Sequence, residues 1–289
     1  MSLRHCEIFE VGPRDGLQSE QCQIALSDKI NLIDCLSNAG FSRIEVASFV
    51  SPKVLPQMAD AAEVLSGIAR APGVRYAALT PNMRGYEDAR KAGADEIAIF
   101  ASASEGFSKA NINASISESI ERFEPILEHA RHIDLPVRGY VSCVVECPYD
   151  GPVEPERVAE VADKLFAMGC YEISLGDTIG AGTPDTIARM LLAVRDVVPV
   201  GRLAGHYHDT QGRAMENIDT SLSLGLRVFD AAVGGLGGCP FAPGAPGNVA
   251  TEAVAAHLAA LGYETGLDLD VLSQAAQLAG GLRQAKALA

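Results

Sequence analysis

Eight times along this chain a short, apolar, β-branched run gives way to a longer stretch with helical periodicity, and no linker or low-complexity tract interrupts the alternation. Such alternation builds a parallel sheet, because each crossover helix returns across the sheet to cover its face. The predicted strands are 7–11, 43–47, 75–79, 96–101, 137–144 and 171–175, then the run from 200 that ends at two histidines, and 228–232. The helices between and after them fall at 28–38, 57–69, 84–91, 115–131 (after a long loop), 154–168, from 183, 213–224 and 249–261. Ser27 is read as an N-cap and Thr183-Pro184 as a capping residue with proline in the first turn. Gly40, Gly93, Gly169 and Gly225 sit where helices close in a left-handed conformation. Eight parallel strands closing on themselves leave no sheet edge, so a TIM (β/α)8 barrel is the economical fold, with a doubly wound open sheet as the alternative. Residues 1–289 are expected to form one domain, the barrel covering about 5–262. The extension, 263–289, reads as one or two helices broken at Gly280-Gly281, covering a barrel end or joining a subunit interface.

Composition narrows the partners. A net charge of −14 argues against nucleic acid or an anionic membrane surface, and no stretch approaches 18 uninterrupted apolar residues. Seven cysteines, an odd number without a C-x-x-C pair, suit free thiols in a reducing compartment. Strand-like sequence begins by Glu7 and the last three residues are not a peroxisomal tripeptide, so the expectation is a cytoplasmic protein.

In a barrel the chemistry gathers at the C-terminal ends of the strands. The first strand ends in Gly12-Pro13-Arg14-Asp15-Gly16, a cation beside a carboxylate in a tight turn. The second carries Glu45 between Ile44 and Val46; a carboxylate in an apolar strand needs a partner, and Arg14 on the neighbouring strand is the natural one. The fifth offers Tyr140 and Ser142 to the barrel mouth, and the sixth ends at Asp177. The seventh presents His206 and His208, two apart and therefore on one face. After the eighth come Gly234-Gly235-Leu236-Gly237-Gly238-Cys239-Pro240 and Gly247-Asn248. That glycine run lacks the spacing of a dinucleotide cradle and reads as a mobile loop delivering Cys239. Asp15, His206, His208 and Asn248 would converge with two octahedral positions left open, which fits a divalent metal such as Mg²⁺ or Mn²⁺.

Five segments together, 10–18, 48–53, 138–143, 169–178 and 235–240, closely resemble the 3-hydroxy-3-methylglutaryl-CoA lyase family, metal-dependent TIM-barrel enzymes, from about residue 7 to 261. The resemblance implies a retro-Claisen cleavage to acetoacetate and acetyl-CoA, in leucine breakdown or ketone-body formation. It implies Asp15, His206, His208 and Asn248 as metal ligands and Arg14 as the catalytic arginine. Cys239 is the loop cysteine, and Glu45, Asp177 and Glu252 are supporting acids. Either Asp15 or His206 would take the substrate hydroxyl proton, and Cys239 would return one to the enolate. Gln18, Ser142, Tyr140 and Asn111 are expected to line the substrate site, with Lys53 and Lys109 near the CoA phosphates, in a homodimer. Tyr207 replaces the cysteine of animal members, with its side chain turned away from the metal. Val144-Val145-Glu146 departs from the small residues expected there and bears on acyl selection. Two relatives of the same chemistry stand as alternatives, a lyase for a longer 3-alkyl substrate and a Claisen-condensing synthase. A metal-binding barrel without turnover is the non-enzymatic one.

Overall fold

A computed structural model of the chain describes residues 4–20, 22–238 and 247–284. Eight parallel strands form a closed barrel in sequence order: β1 Glu7–Glu10, β2 Arg43–Ser48, β3 Arg75–Leu79, β4 Glu96–Ser102, β5 Val137–Ser142, β6 Glu172–Asp177, β7 Leu203–Tyr207 and β8 Val228–Ala231. The barrel closes where β8 pairs with β1, Val228 opposite Glu7 and Ala231 opposite Glu10. The helices are α1 Leu26–Ser37, α2 Ala61–Gly67, α3 Met83–Lys91, α4 Glu105–Ile112, α5 Ile116–His132, α6 Pro155–Met168, α7 Pro184–Arg195, α8 Ala214–Ser223, α9 Thr251–Ala260 and α10 Leu269–Gln284. All six residues of β2 are buried, as a strand between barrel core and helical layer requires.

The element order matches expectation, with five local corrections. Ser27 is not the cap of α1; Ala25 precedes the helix and supplies no side-chain acceptor. The predicted helix 57–69 is a 3₁₀ turn at Pro56–Met58 followed by the short α2. The long loop after β4 contains α4, capped by the Ser104 hydroxyl, which accepts from the Phe107 amide. The seventh strand starts only at Leu203, because Val200–Arg202 form a 3₁₀ turn. Finally, α10 runs unbroken through Gly280 and Gly281, since Leu272, Ala275 and Ala279 bury one face. Tertiary packing of that face outweighs the roughly 1 kcal/mol helix cost of each glycine. The capping signals of later helices hold: Thr183 forms a capping box with Thr186 ahead of Pro184, and Gly169 closes α6 at φ +114°.

Charges occupy the barrel interior where branched apolar side chains are usual. Arg43 reaches Glu7 at 2.6 Å and Glu172 at 3.0 Å; Arg138 reaches Glu172 at 2.7 Å and Asp230 at 2.7 Å. Phe9 lies between them, its ring 4.8 Å from the Arg43 guanidinium carbon and 4.4 Å from that of Arg138. Removing one member of such a buried pair costs about 3–5 kcal/mol, because the partner charge is left uncompensated. This ladder leads along the barrel to its C-terminal mouth.

Candidate active site

The mouth begins in the turn after β1. Gly12–Gly16 form a single π-helical turn in which the Val11 carbonyl accepts from the amides of Arg14 (3.1 Å), Asp15 (2.7 Å) and Gly16 (3.3 Å). A turn of this kind re-aims side chains and recurs at functional sites. Here it sets Arg14 and Asp15 side by side, Nη1 to Oδ1 at 2.5 Å. Arg14 Nε meets Glu45 Oε2 at 2.5 Å, as the sequence predicted, and Tyr140 donates its hydroxyl to the same oxygen at 3.1 Å. The Arg14 guanidinium carbon also lies 5.4 Å from the Tyr140 ring centre. Burial works against the charge on Arg14, but Glu45 and Asp15 outweigh it and raise its pKa. Burial pushes the Glu45 carboxyl up, with Arg14 pulling it back.

Strand β7 and the segment 247–249 bring the imidazoles to this pair. The Asp209 amide donates to the Gly247 carbonyl at 2.7 Å, and His208 bridges Asn248 in antiparallel fashion. The Nε2 atoms of His206 and His208 lie 3.4 Å apart, and His206 Nε2 is 3.9 Å from Asp15 Oδ2. Ligand atoms of Asp15, His206 and His208 all fall within 4.8 Å of one another. Two imidazole nitrogens and a carboxylate oxygen around one point are a donor set for a divalent cation, so the residues fit the metal that this kind of site implies. Asn248 meets the cluster through its amide nitrogen, which donates to Asp15 Oδ2 at 2.8 Å. Gln18 Nε2 donates to Asp15 Oδ1 at 3.1 Å.

The electrostatics divide the cluster. Burial would raise the Asp15 carboxyl, but Arg14, with help from both histidines, brings it down to about 2. Burial and the neighbouring His206 lower His208 to about 4. Burial also opposes a charge on His206, yet Asp230 bonded to its Nδ1 at 3.1 Å turns the net shift upward.

These residues line a cavity of about 720 Å³, together with Gln18, Asn111, Tyr140, Ser142 and an apolar wall of Leu79, Phe100 and Phe107. Four other predicted residues lie elsewhere. Asp177 turns into the following loop, accepting from the amides of Ala181 (3.1 Å) and Gly182 (2.8 Å), and burial lifts its pKa to about 6. Glu252 accepts from the Gly234 amide at 3.0 Å and so braces the loop after β8. Lys53 is exposed and outside the cavity lining, and Lys109 pairs with Glu118 at 3.5 Å on the surface. Cys239 lies outside the described residues. Tyr207 points away from the cluster, as alternation predicted, its hydroxyl 2.7 Å from that of Ser221 on α8. Gly205 makes room for that ring, since a Cβ there would meet it at 2.8 Å. Glu146 sits in a two-residue hairpin strand and is not part of the lining.

Two acids escaped the sequence reading. Glu10 is fully buried; its Oε1 accepts from the amides of Gly12 (2.8 Å) and Val233 (2.9 Å), and its Oε2 from the Thr251 hydroxyl (2.7 Å). It thus ties the turn after β1 to both ends of the loop after β8. Gly12 permits this, because a Cβ there would stand 2.6 Å from Glu10 Oε1. Asp230 lies opposite His206 in the β7–β8 register. A carboxylate within the apolar run Val228-Phe229-Asp230-Ala231 was the available signal, the same one that singled out Glu45.

The chain is similar to known proteins over nearly its whole length. The HMGL-like family model matches residues 5–279. A 3-hydroxy-3-isohexenylglutaryl-CoA/hydroxy-methylglutaryl-CoA lyase of Pseudomonas aeruginosa is 56% identical over 288 residues, 97% of this chain and 96% of the relative. The crystal structure of the HMG-CoA lyase from Brucella melitensis superposes with a TM-score of 0.97 at 62% identity, covering 97% of this chain and 99% of that one. An HMG-CoA lyase from Acenitobacter baumannii, in complex with coenzyme A and 3-methylmalate, gives a TM-score of 0.91 at 36% identity over 98% and 95% of the two chains. A family model that matches nearly the whole chain, and relatives more than half identical along its length, show that this chain belongs to the HMGL-like family.

Proposed function

We propose that the chain cleaves 3-hydroxy-3-methylglutaryl-CoA to acetoacetate and acetyl-CoA. The observation that carries this reading is Arg14, a buried guanidinium lining the cavity beside the Asp15, His206 and His208 cluster. The C3 hydroxyl loses its proton, the C2–C3 bond breaks, and its electron pair becomes the thioester enolate of acetyl-CoA. C2 then takes up a proton. Asp15, His206, His208 and Asn248 would hold Mg²⁺ or Mn²⁺, which when bound acidifies the hydroxyl and orients the substrate. Arg14 engages Glu45 through Nε and Asp15 through Nη1, so its position is set before substrate arrives. Its Nη2 has no protein partner among the described residues and is the donor for the enolate oxygen, a role worth roughly 3–4 kcal/mol. Asp15 and His206, which both line the cavity beside Arg14, are the two candidates for taking the hydroxyl proton. Cys239 is assigned the final protonation at C2.

Tyr140, Ser142, Gln18 and Asn111 line the acyl and pantetheine path. Lys53, exposed, and Lys109, beside Glu118, are the basic candidates for the CoA phosphates. Among the described residues no helix is long and apolar enough to cross a membrane, and the six cysteines described are free thiols. Those thiols support a reducing compartment, and we assign the chain to the cytoplasm as a homodimer.

A longer 3-alkyl substrate is the second reading, favoured by the apolar group Leu79, Ala98, Phe100 and Tyr140 at the mouth. One assay tests both: coupled acetyl-CoA release from each substrate with Mg²⁺, with Mn²⁺ and with EDTA, alongside Arg14→Gln. Metal-dependent turnover that collapses in the variant supports the lyase. A folded protein inert toward both substrates with either metal would sink it.

A further inference from the structure

His206 has two ring nitrogens, and the cluster at the barrel mouth uses only one. Its Nε2 faces Asp15 and His208, whereas Nδ1 points into the barrel, 3.1 Å from Asp230 Oδ2. Asp230 is buried and tightly held. Arg138 grips it with both Nη atoms, at 3.0 and 2.7 Å, and the Ser174 hydroxyl donates to Oδ2 at 2.7 Å. A carboxylate that receives a bidentate guanidinium and a hydroxyl is ionised and can only accept. The hydrogen between Asp230 and His206 therefore belongs to the imidazole.

We propose that Asp230, clamped by Arg138 and Ser174, is a positioning residue that holds His206 as the Nδ1–H tautomer, so that the Nε2 lone pair is directed at the site shared with Asp15 and His208. The inference rests on the reading of that cluster as a cation site and adds what orients it. Register makes the arrangement rigid. His206 and Asp230 are paired across β7 and β8, and Ser174 is paired with Tyr140 across β6 and β5. Arg138 is itself anchored to Glu172 at 2.7 Å, which lies opposite it on β6. The ring plane is thus set by four strands rather than by a loop. Carboxylates behind a ligating imidazole typically contribute 10–100-fold to metal affinity.

The test uses the full chain and Mn²⁺ alone as probe. Free Mn²⁺ is counted by electron paramagnetic resonance in titrations of the wild type, Asp230→Asn, Ser174→Ala and His208→Gln. The imidazole nitrogens of the metal-free protein are read by ¹⁵N NMR at alkaline pH, with His206→Gln assigning the ring. The expected result is a dissociation constant raised about 10–100-fold in Asp230→Asn, a smaller rise in Ser174→Ala, and a wild-type His206 protonated on Nδ1. A His206 ring protonated on Nε2 in the wild type overturns the proposal, and this measurement does not depend on any variant folding. Folded Asp230→Asn binding Mn²⁺ within twofold of wild type also overturns it. So does weakened binding with the Nδ1–H ring unchanged, which assigns the loss to packing. Wild type and His208→Gln binding Mn²⁺ equally poorly would instead remove the cation site, while the tautomer is still read from the wild-type ring.

Discussion

Arg14 Nε and Glu45 Oε2 meet at 2.5 Å with both side chains almost wholly shut off from water, so the charge at the mouth is fixed by a partner one strand away rather than by solvent. Two different losses follow from breaking the pair at either end. Arg14→Gln removes the enolate donor and is expected to lower kcat by about 10²–10³ with little change in KM, the pattern of a contact made in the transition state. Glu45→Ala leaves a buried guanidinium half-paired and is expected to cost about 3–5 kcal/mol in urea unfolding. A Glu45→Ala protein as stable as the wild type would remove the structural half of this account.

Glu10 makes stability depend on pH in an unusual direction. Burial pushes its carboxyl from 4.5 up to about 7, against the bonds from Thr251, Val233 and Gly12. The folded state therefore holds a proton that the unfolded state releases, and Glu10's contribution is fully present below about 4.5. It declines as pH rises to about 7, by roughly 3 kcal/mol in all. Gln at this position keeps the acceptor for Gly12 and Val233 and does not titrate. Relative to wild type, Glu10→Gln should gain stability between pH 4.5 and 8. Parallel urea midpoints across that range would expose the error.

Gly12 tests the same latch by space alone. In Gly12→Ala the added methyl meets Glu10 Oε1 and the Val233 amide, both held by the buried network, so something must shift. A loss of about 1–3 kcal/mol and reduced turnover are expected. Gly201→Ala, where a Cβ meets nothing within 4 Å, is the control and should change neither. Equal thermal midpoints for the two variants would count against a rigid connection.

Metal should stabilise as well as activate. At 100 times its dissociation constant, Mn²⁺ should raise the unfolding free energy by about 2.7 kcal/mol. EDTA should abolish the gain. Asp15→Asn should show much less of it, since the amide offers a neutral oxygen in place of the carboxylate. Calorimetry that finds the same Mn²⁺-dependent rise in that variant would place the ion elsewhere.

Much of this protein is written locally. Alternation of β-branched runs with helical periodicity is enough to count eight strands, and the ends of those strands are where Arg14, His206 and His208 stand. Glu45 announced its need for a partner because an acid in an apolar strand must be neutralised. Other features depend on which strands become neighbours. Asp230 stands in the same kind of apolar strand as Glu45. Its roles toward His206, Arg138 and Ser174 exist only once β8 pairs with β7 and β5 faces them across the barrel. Glu10 acquires its partners Val233 and Thr251 from more than 220 residues away, when β8 closes onto β1. Local periodicity reports which face of an element is apolar, and that suffices for strands and helices. The partner of a buried charge is chosen by barrel closure and register, which bring together residues with no fixed spacing along the chain.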